Sequence, residues 1–240
     1  MSTQRYLEMY KVPQVEVETK LGKKVVWSID YPNELAEGVK NLIFDDFYPI
    51  ALTAFNQNRS EAFQADVWKH LFEVDKLYLT FNDGVEYGEN VGAIPRGIAF
   101  RTITEHTIDD KQIAYIEGTA VDPNYQGYGF YQAFTNLLGD DYKFVVSRTQ
   151  NPVVVTALSR VFKNVNPFVQ NWQSPLVSIG AGMAKKLGME GYNEGTMICR
   201  GFYGKALSGL PPKIDNEISR TMRCALNRED GDCILVVCSN

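Results

Sequence analysis

The stretch Thr119-Ala120-Val121-Asp122-Pro123-Asn124-Tyr125-Gln126-Gly127-Tyr128-Gly129-Phe130-Tyr131 decides how this chain is read. Residues 113–121, which run into it, are rich in apolar and β-branched side chains and read as a strand. Behind it, Phe130, Phe134, Leu137 and Leu138 recur at helical spacing. The segment is therefore a glycine-containing turn between a strand and a helix. The first N–H groups of such a helix have no intrahelical acceptor, and the macrodipole adds about half a positive charge there. Gly127 and Gly129 let a bulky group approach the main chain, so the turn suits an anion such as a diphosphate. No lysine or arginine lies within it, which leaves backbone amides as its phosphate donors. A Walker loop is excluded because no Gly-Lys-[Ser/Thr] follows. A Rossmann loop is excluded because the third glycine and a later acidic partner are wanting.

The flanking sequence sets this turn in a sheet. Upstream, residues 77–81 read as a strand followed by the turn signal Asn82-Asp83-Gly84, and residues 96–103 as the next strand. The polar link over residues 105–111, with Asp109-Asp110, predicts that this strand and the strand at 113–121 are antiparallel neighbours. Downstream, residues 144–147 form a further strand. Asn151-Pro152 then opens a helix carrying Val154, Leu158, Val161 and Phe162, with proline at the first helical position. The order strand, strand, strand, helix, strand, helix implies a mixed central sheet flanked by helices, the α/β or α+β class.

The first third reads as a hairpin of residues 14–19 and 22–29, followed by two helices. The first helix, capped at Asn33, carries Leu35, Val39, Leu42, Ile43 and Phe47 and is interrupted or kinked at Pro49; the second follows Ser60 through Phe63, Val67, Trp68, Leu71 and Phe72. Beyond Pro167 the expected elements are a short helix over 179–187 ending at Gly188, a strand at 196–200, a break at Pro211-Pro212 and a last strand at 233–237. The expectation is one domain over 1–240, with a recognisable core at about 75–165 and no assignment for 166–240.

Residues 120–131 resemble the acetyl-CoA motif of the GNAT N-acetyltransferase superfamily, V-x-P-x-x-[RQ]-G-x-G-x-[GA]. Val121, Pro123, Gln126, Gly127 and Gly129 fall in register; Tyr131 departs, standing where the family has Gly or Ala. The resemblance implies a GNAT acyltransferase fold in which the strand before the motif and the strand after its helix splay apart, with the pantetheine arm of CoA in the gap. It implies acetyl-CoA contacts from Ala120, Val121, Gln126, Gly127, Tyr128, Gly129, Phe130 and Tyr131, and from Asn151, which resembles the asparagine that begins the family's following region. It also implies that a main-chain N–H near Val121 polarises the thioester carbonyl.

Transfer to an amine needs a base, a polarised carbonyl and a proton for the departing thiolate. Glu117 lies four residues before Val121, so both side chains share one face of the strand, and Glu117 is the candidate base, directly or through water. Its competing reading is a surface strand glutamate. The family's usual acid, a tyrosine on the helix after Asn151, is missing here. Tyr125, Tyr128 and Tyr131 read as packing or cofactor contacts, and His106 as an idle exposed histidine. Phe44, Phe47, Tyr48 and Phe55 lie where the family's acceptor site is often formed, but a helical aromatic stripe is more often core.

At 240 residues, 45% hydrophobic and 22% charged, the composition is that of a globular protein. The net charge of -5, with scattered basic residues, offers no nucleic-acid stripe, and no apolar run approaches a membrane span. Two histidines exclude a histidine-rich metal site, and the four cysteines show no zinc-ligand spacing, so they are expected as free thiols in a cytoplasmic protein. The function expected is an N-acetyltransferase using acetyl-CoA as cosubstrate and no metal, acting on the amine of a small molecule, peptide or protein, with a homodimer left open. The alternatives are a catalytically weak acyl-CoA-binding sensor or structural module, and a transferase for a longer acyl group.

Overall fold

In a computed structural model of the chain, residues 2–82, 97–168, 174–207 and 214–240 are described. The turn signal at Asp83-Gly84, Arg96 and the break at Pro211-Pro212 lie outside them. In chain order the elements are α1 (Thr3–Met9), β1 (Gln14–Thr19), β2 (Gly22–Asp30), α2 (Glu37–Ala54), α3 (Glu61–Phe72), β3 (Lys76–Phe81), β4 (Gly97–Ile108) and β5 (Lys111–Val121). There follow α4 (Phe130–Asp141), β6 (Phe144–Thr149), α5 (Pro152–Leu158), β7 (Asn164–Asn166) and α6 (Ser174–Lys186). The chain ends with β8 (Tyr192–Asn193), β9 (Ile198–Cys199), α7 (Glu217–Ala225) and β10 (Cys233–Ser239). Among the described residues the ladders make a mixed sheet of ten strands, accompanied by seven helices. Contacts divide the chain into two compact units that share β4, β5 and α4 along the sequence.

The first unit, Met1–Thr104 with Glu117–Phe134, is built on the ladder order β1, β2, β3, β4, β5. Trp27 pairs with Leu79 and Leu79 with Phe100, which aligns three large apolar side chains across β2, β3 and β4. On α2, Val39, Ile43, Phe47, Ile50 and Ala51 recur at helical spacing, and with Leu71 and Phe72 of α3 they bury that row. The Phe47 ring stands edge-on to Phe81 at 5.2 Å and to Phe100 at 5.9 Å. Gly97 of β4 packs so closely on α2 that a Cβ there would come within 2.6 Å of the Phe47 ring.

The second unit, Glu105–Ile116 with Thr135–Asn240, contains the parallel pair. Residues Ile113 to Ile116 of β5 run parallel to Phe144 to Ser147 of β6. β6 is antiparallel to β10, which pairs with β9 at its start and with β7 at its end. All seven residues of β10 are buried, as the apolar run Cys233 to Cys238 requires. Leu176, Ile179, Met183 and Ala184 of α6 form one helical stripe packed with Ile113, Tyr115, Val146, Leu235 and Val237.

Several local expectations are corrected. Asn33 does not cap the first long helix: Pro32–Glu34 forms a 3-10 turn, and α2 begins at Glu37. Pro49 lies inside α2 without ending it, because core burial of Phe47, Ile50 and Ala51 on either side outweighs one missing helical hydrogen bond. The link between the strands before the motif shrinks to Asp109 and Asp110. Both take positive φ, 48° and 59°, the backbone that a two-residue hairpin turn needs. The helix after Asn151 stops at Leu158, since the chain must turn to pair Val165 with Cys238. The strand expected at 196–200 is reduced to Ile198–Cys199, with Met197 in the left-handed region. α1 and α7 were not anticipated.

Candidate functional site

The end of β5 shows which way its side chains face. Ala120 is buried in the core beneath α2 and α3, and a Cβ on Gly118 would lie 3.7 Å from the His70 ring of α3. Thr119, between these two positions, lies on the opposite face. There Thr119 Oγ1 accepts a hydrogen bond from Arg101 Nε at 2.9 Å. Glu117 is half-buried, and its Oε1 accepts from the Thr104 hydroxyl at 3.2 Å. The β5–β6 ladder ends at Ile116 and Ser147, so Glu117 is the first β5 residue after it.

The turn beyond is held by its own polar groups. Asp122 N donates to Ile98 O, and Asp122 Oδ1 accepts from Asn124 N at 2.8 Å, capping a 3-10 turn over Pro123–Tyr125. Gln126 is exposed, and its Nε2 donates back to Val121 O at 3.2 Å. Gly127 and Gly129 have φ of 84° and 95°, a backbone that side-chain-bearing residues adopt only under strain. A Cβ on Gly127 would meet nothing within 4 Å, and one on Gly129 only Lys20 N at 4.0 Å. The space over both glycines is thus open. Gly129 O accepts from Ala133 N at 2.9 Å, the first bond of α4.

Two partners of this turn were not found by sequence reading. Arg101 is wholly buried, with its guanidinium carbon 4.2 Å from the centre of the Tyr131 ring and 5.6 Å from that of Phe134. Its Nη2 also reaches Tyr131 O at 3.4 Å. Burial draws the Arg101 pKa down, against an opposing pull from the Tyr131 and Tyr78 hydroxyls, and an arginine so placed stays charged. The signal was present, a lone arginine in the apolar run 98–103. Its partner across the fold was not. The second is the β1–β2 hairpin tip, where Lys20 N donates to Tyr128 O at 2.9 Å.

The residues singled out from the sequence therefore fall in two places. Glu117, Ala120, Val121, Gln126, Gly127, Tyr128, Gly129, Phe130 and Tyr131 form one continuous stretch of the first unit, with the Phe130 side chain buried and Tyr131 stacked on Arg101. Asn151 belongs to the second unit and caps α5: its Oδ1 accepts from Val153 N at 3.0 Å, and its N–H donates to Thr149 Oγ1 at 2.8 Å.

The C-terminal part has its own polar cluster. Arg148 of β6 stacks on Phe202 and Tyr203 and donates from Nε to the Tyr203 hydroxyl at 2.8 Å. Buried Gln150 donates to Asp232 O and accepts from Leu207 N, each at 2.9 Å. Asp232 accepts from the amides of Asn227 and Gly201 and from Arg200. Burial opposes its ionisation, but these donors together hold its carboxyl below the usual range. All four cysteines are free thiols; Cys199 and Cys233 face each other across β9 and β10, and burial pushes the Cys233 thiol up to about 12. Among the described residues, no group of three or more His, Cys, Asp or Glu is placed to hold a metal ion, and no helix is long and apolar enough to cross a membrane.

No protein-family model and no curated protein sequence matches the chain. Solved structures do. The chain is similar to the ribosomal-protein-S18-alanine N-acetyltransferase of Escherichia coli, at 14% identity over 89% of this chain and 93% of that one, with a TM-score of 0.41. It is similar to a chain of the NatC complex bound to Gag peptide and CoA, at 12% identity over 90% and 98% of the two chains, with a TM-score of 0.36. A third likeness is to a conserved Enterococcus faecalis V583 protein described as a probable N-acyltransferase, at 13% identity and a TM-score of 0.36. It covers 55% of this chain, which spans only 31% of that protein. With antiparallel strands before the turn and a parallel β5–β6 pair joined through α4, the chain has a mixed α/β fold, and the segment that resembles the GNAT acetyl-CoA motif lies on its β5–α4 turn.

Proposed function

We propose that this chain is an N-acetyltransferase that moves an acetyl group from acetyl-CoA directly to an amine. The observation that carries the reading is the open turn over Gly127 and Gly129, both at positive φ, leading straight into α4. A diphosphate seated there accepts from main-chain N–H groups and gains from the helix dipole. The pantetheine arm follows the end of β5 and brings the thioester near the main chain of Val121. Phe130 and Ala120 shape the site through their backbones, since both side chains are buried.

In the chemical step the amine nitrogen attacks the thioester carbon. Glu117 takes the amine proton, directly or through water, the C–S bond breaks, and the CoA thiolate leaves and is protonated. A second reading, a catalytically weak acyl-CoA-binding module, is favoured by one feature: α5 contains no tyrosine to serve as the acid. Calorimetric titration with acetyl-CoA and CoA, followed by release of free thiol with a panel of amines and of acyl chain lengths, separates the two. Binding with thiol release supports the transferase and binding alone the module. Absence of binding defeats both.

A further inference from the structure

We infer that the tip of the β1–β2 hairpin forms a wall for the nucleotide end of the bound acyl-CoA, with Lys20 meeting a phosphate and Leu21 and Tyr128 offering an apolar surface to the adenine. The inference rests on the acyl-CoA reading and adds to it residues far outside the motif. In ladder order β1 stands at the opposite edge of the first unit's sheet from β5, yet the hairpin tip is bonded to the turn that follows β5. Lys20 N donates to Tyr128 O at 2.9 Å, in the middle of the two-glycine turn, and Lys20 N is also the atom nearest the open face of Gly129.

The tip is a built structure. The Thr19 hydroxyl donates to Gly22 O at 2.8 Å and accepts from Leu21 N at 3.1 Å, and Gly22 closes the turn with a φ of 85°. Lys23 is paired with Glu16 at 2.9 Å, whereas the Lys20 side chain is exposed beside the turn. Leu21 and Tyr128 are 41% and 39% exposed, two large side chains on segments joined by the Lys20–Tyr128 main-chain bond. The charge balance calls for such a contribution. The motif contains no cation and the chain carries a net charge of -5, while the phosphates of CoA bring several negative charges that backbone dipoles only partly offset. Lysine, a strongly hydrated charge on a flexible stem, suits a phosphate at the rim of a site.

The test measures dissociation constants for CoA, 3′-dephospho-CoA and pantetheine, on the full chain and on Lys20→Ala, Lys20→Glu, Lys20→Arg, Tyr128→Ala and Gly129→Val. Thermal unfolding of each variant confirms folding. CoA affinity is expected to fall about threefold to tenfold in Lys20→Ala and further in Lys20→Glu, to stay near that of the parent in Lys20→Arg, and to lose part of its salt dependence once the charge is gone. Tyr128→Ala is expected to weaken CoA, while pantetheine binding is unchanged in all Lys20 and Tyr128 variants. A Lys20 deficit that disappears with 3′-dephospho-CoA places the lysine at the 3′-phosphate, and one that persists places it at the diphosphate. If the parent binds CoA and Gly129→Val does not, but every Lys20 variant matches the parent, the hairpin inference is overturned and the acyl-CoA reading stands. If the parent binds no CoA, both fall.

Discussion

The Arg101 guanidinium lies 4.2 Å from the centre of the Tyr131 ring, entirely out of water, at the first turn of α4. This stack gives Tyr131, the one departure from the GNAT motif, a structural partner. A desolvated cation–π pair contributes about 2 kcal/mol. Tyr131→Ala should therefore destabilise the fold by about that amount, and a double-mutant cycle with Arg101→Met should show a coupling above ~1 kcal/mol in denaturant unfolding. A coupling near zero would mean that the ring merely covers the guanidinium.

Gly129→Val tests the anion seat. At a φ of 95° a β-branched residue is strained, and its side chain projects into the open face of the turn. CoA affinity should drop by more than tenfold, about 1.4 kcal/mol, in a chain that still unfolds cooperatively. An unchanged dissociation constant would take the turn out of the site.

Glu117→Gln keeps the size of the side chain and its hydrogen bond from Thr104 while removing the base. General-base catalysis contributes about 10²–10⁴-fold, so turnover at neutral pH should fall by at least about tenfold with CoA affinity intact. Part of the rate should return as pH rises and the amine arrives already deprotonated. Full turnover of the variant across the pH range would assign the proton to another group.

Asp232 links the β9 and β10 regions through the amides of Gly201 and Asn227 and through Arg200. Its carboxyl is held below the usual range, so its stabilising contribution is fully present above the unfolded-state pKa, about 3.9, and is lost as pH falls through the lower folded value. Asp232→Asn should cost on the order of 2–3 kcal/mol at pH 7. The gap between variant and parent should close as pH drops below about 4. Parallel stability curves down to pH 2 would show that the carboxylate charge is not what these donors hold.

Local signals in the sequence determined much of this protein. Residues 77–81, 113–121 and 144–147 lie within β3, β5 and β6, and the turn at 127–129 lies before α4, because backbone periodicity and glycine conformation are properties of adjacent residues. Ser60 was readable as the cap of α3, its hydroxyl accepting from Phe63 N, for the same reason. Tertiary structure alone decided what meets across sequence distance. Pro49 stays inside α2 because Phe47 must reach Phe81 and Phe100. The C-terminal strand becomes a buried neighbour of β6 because its run of seven buried residues needs cover on both faces. The site divides the same way. Its main-chain seat was legible in the motif, whereas Arg101 beneath Tyr131 and Lys20 beside Tyr128 came into view only when the sheet brought residues 30 and 108 positions apart into contact. No local pattern encodes such a pairing; it is set by strand order and packing.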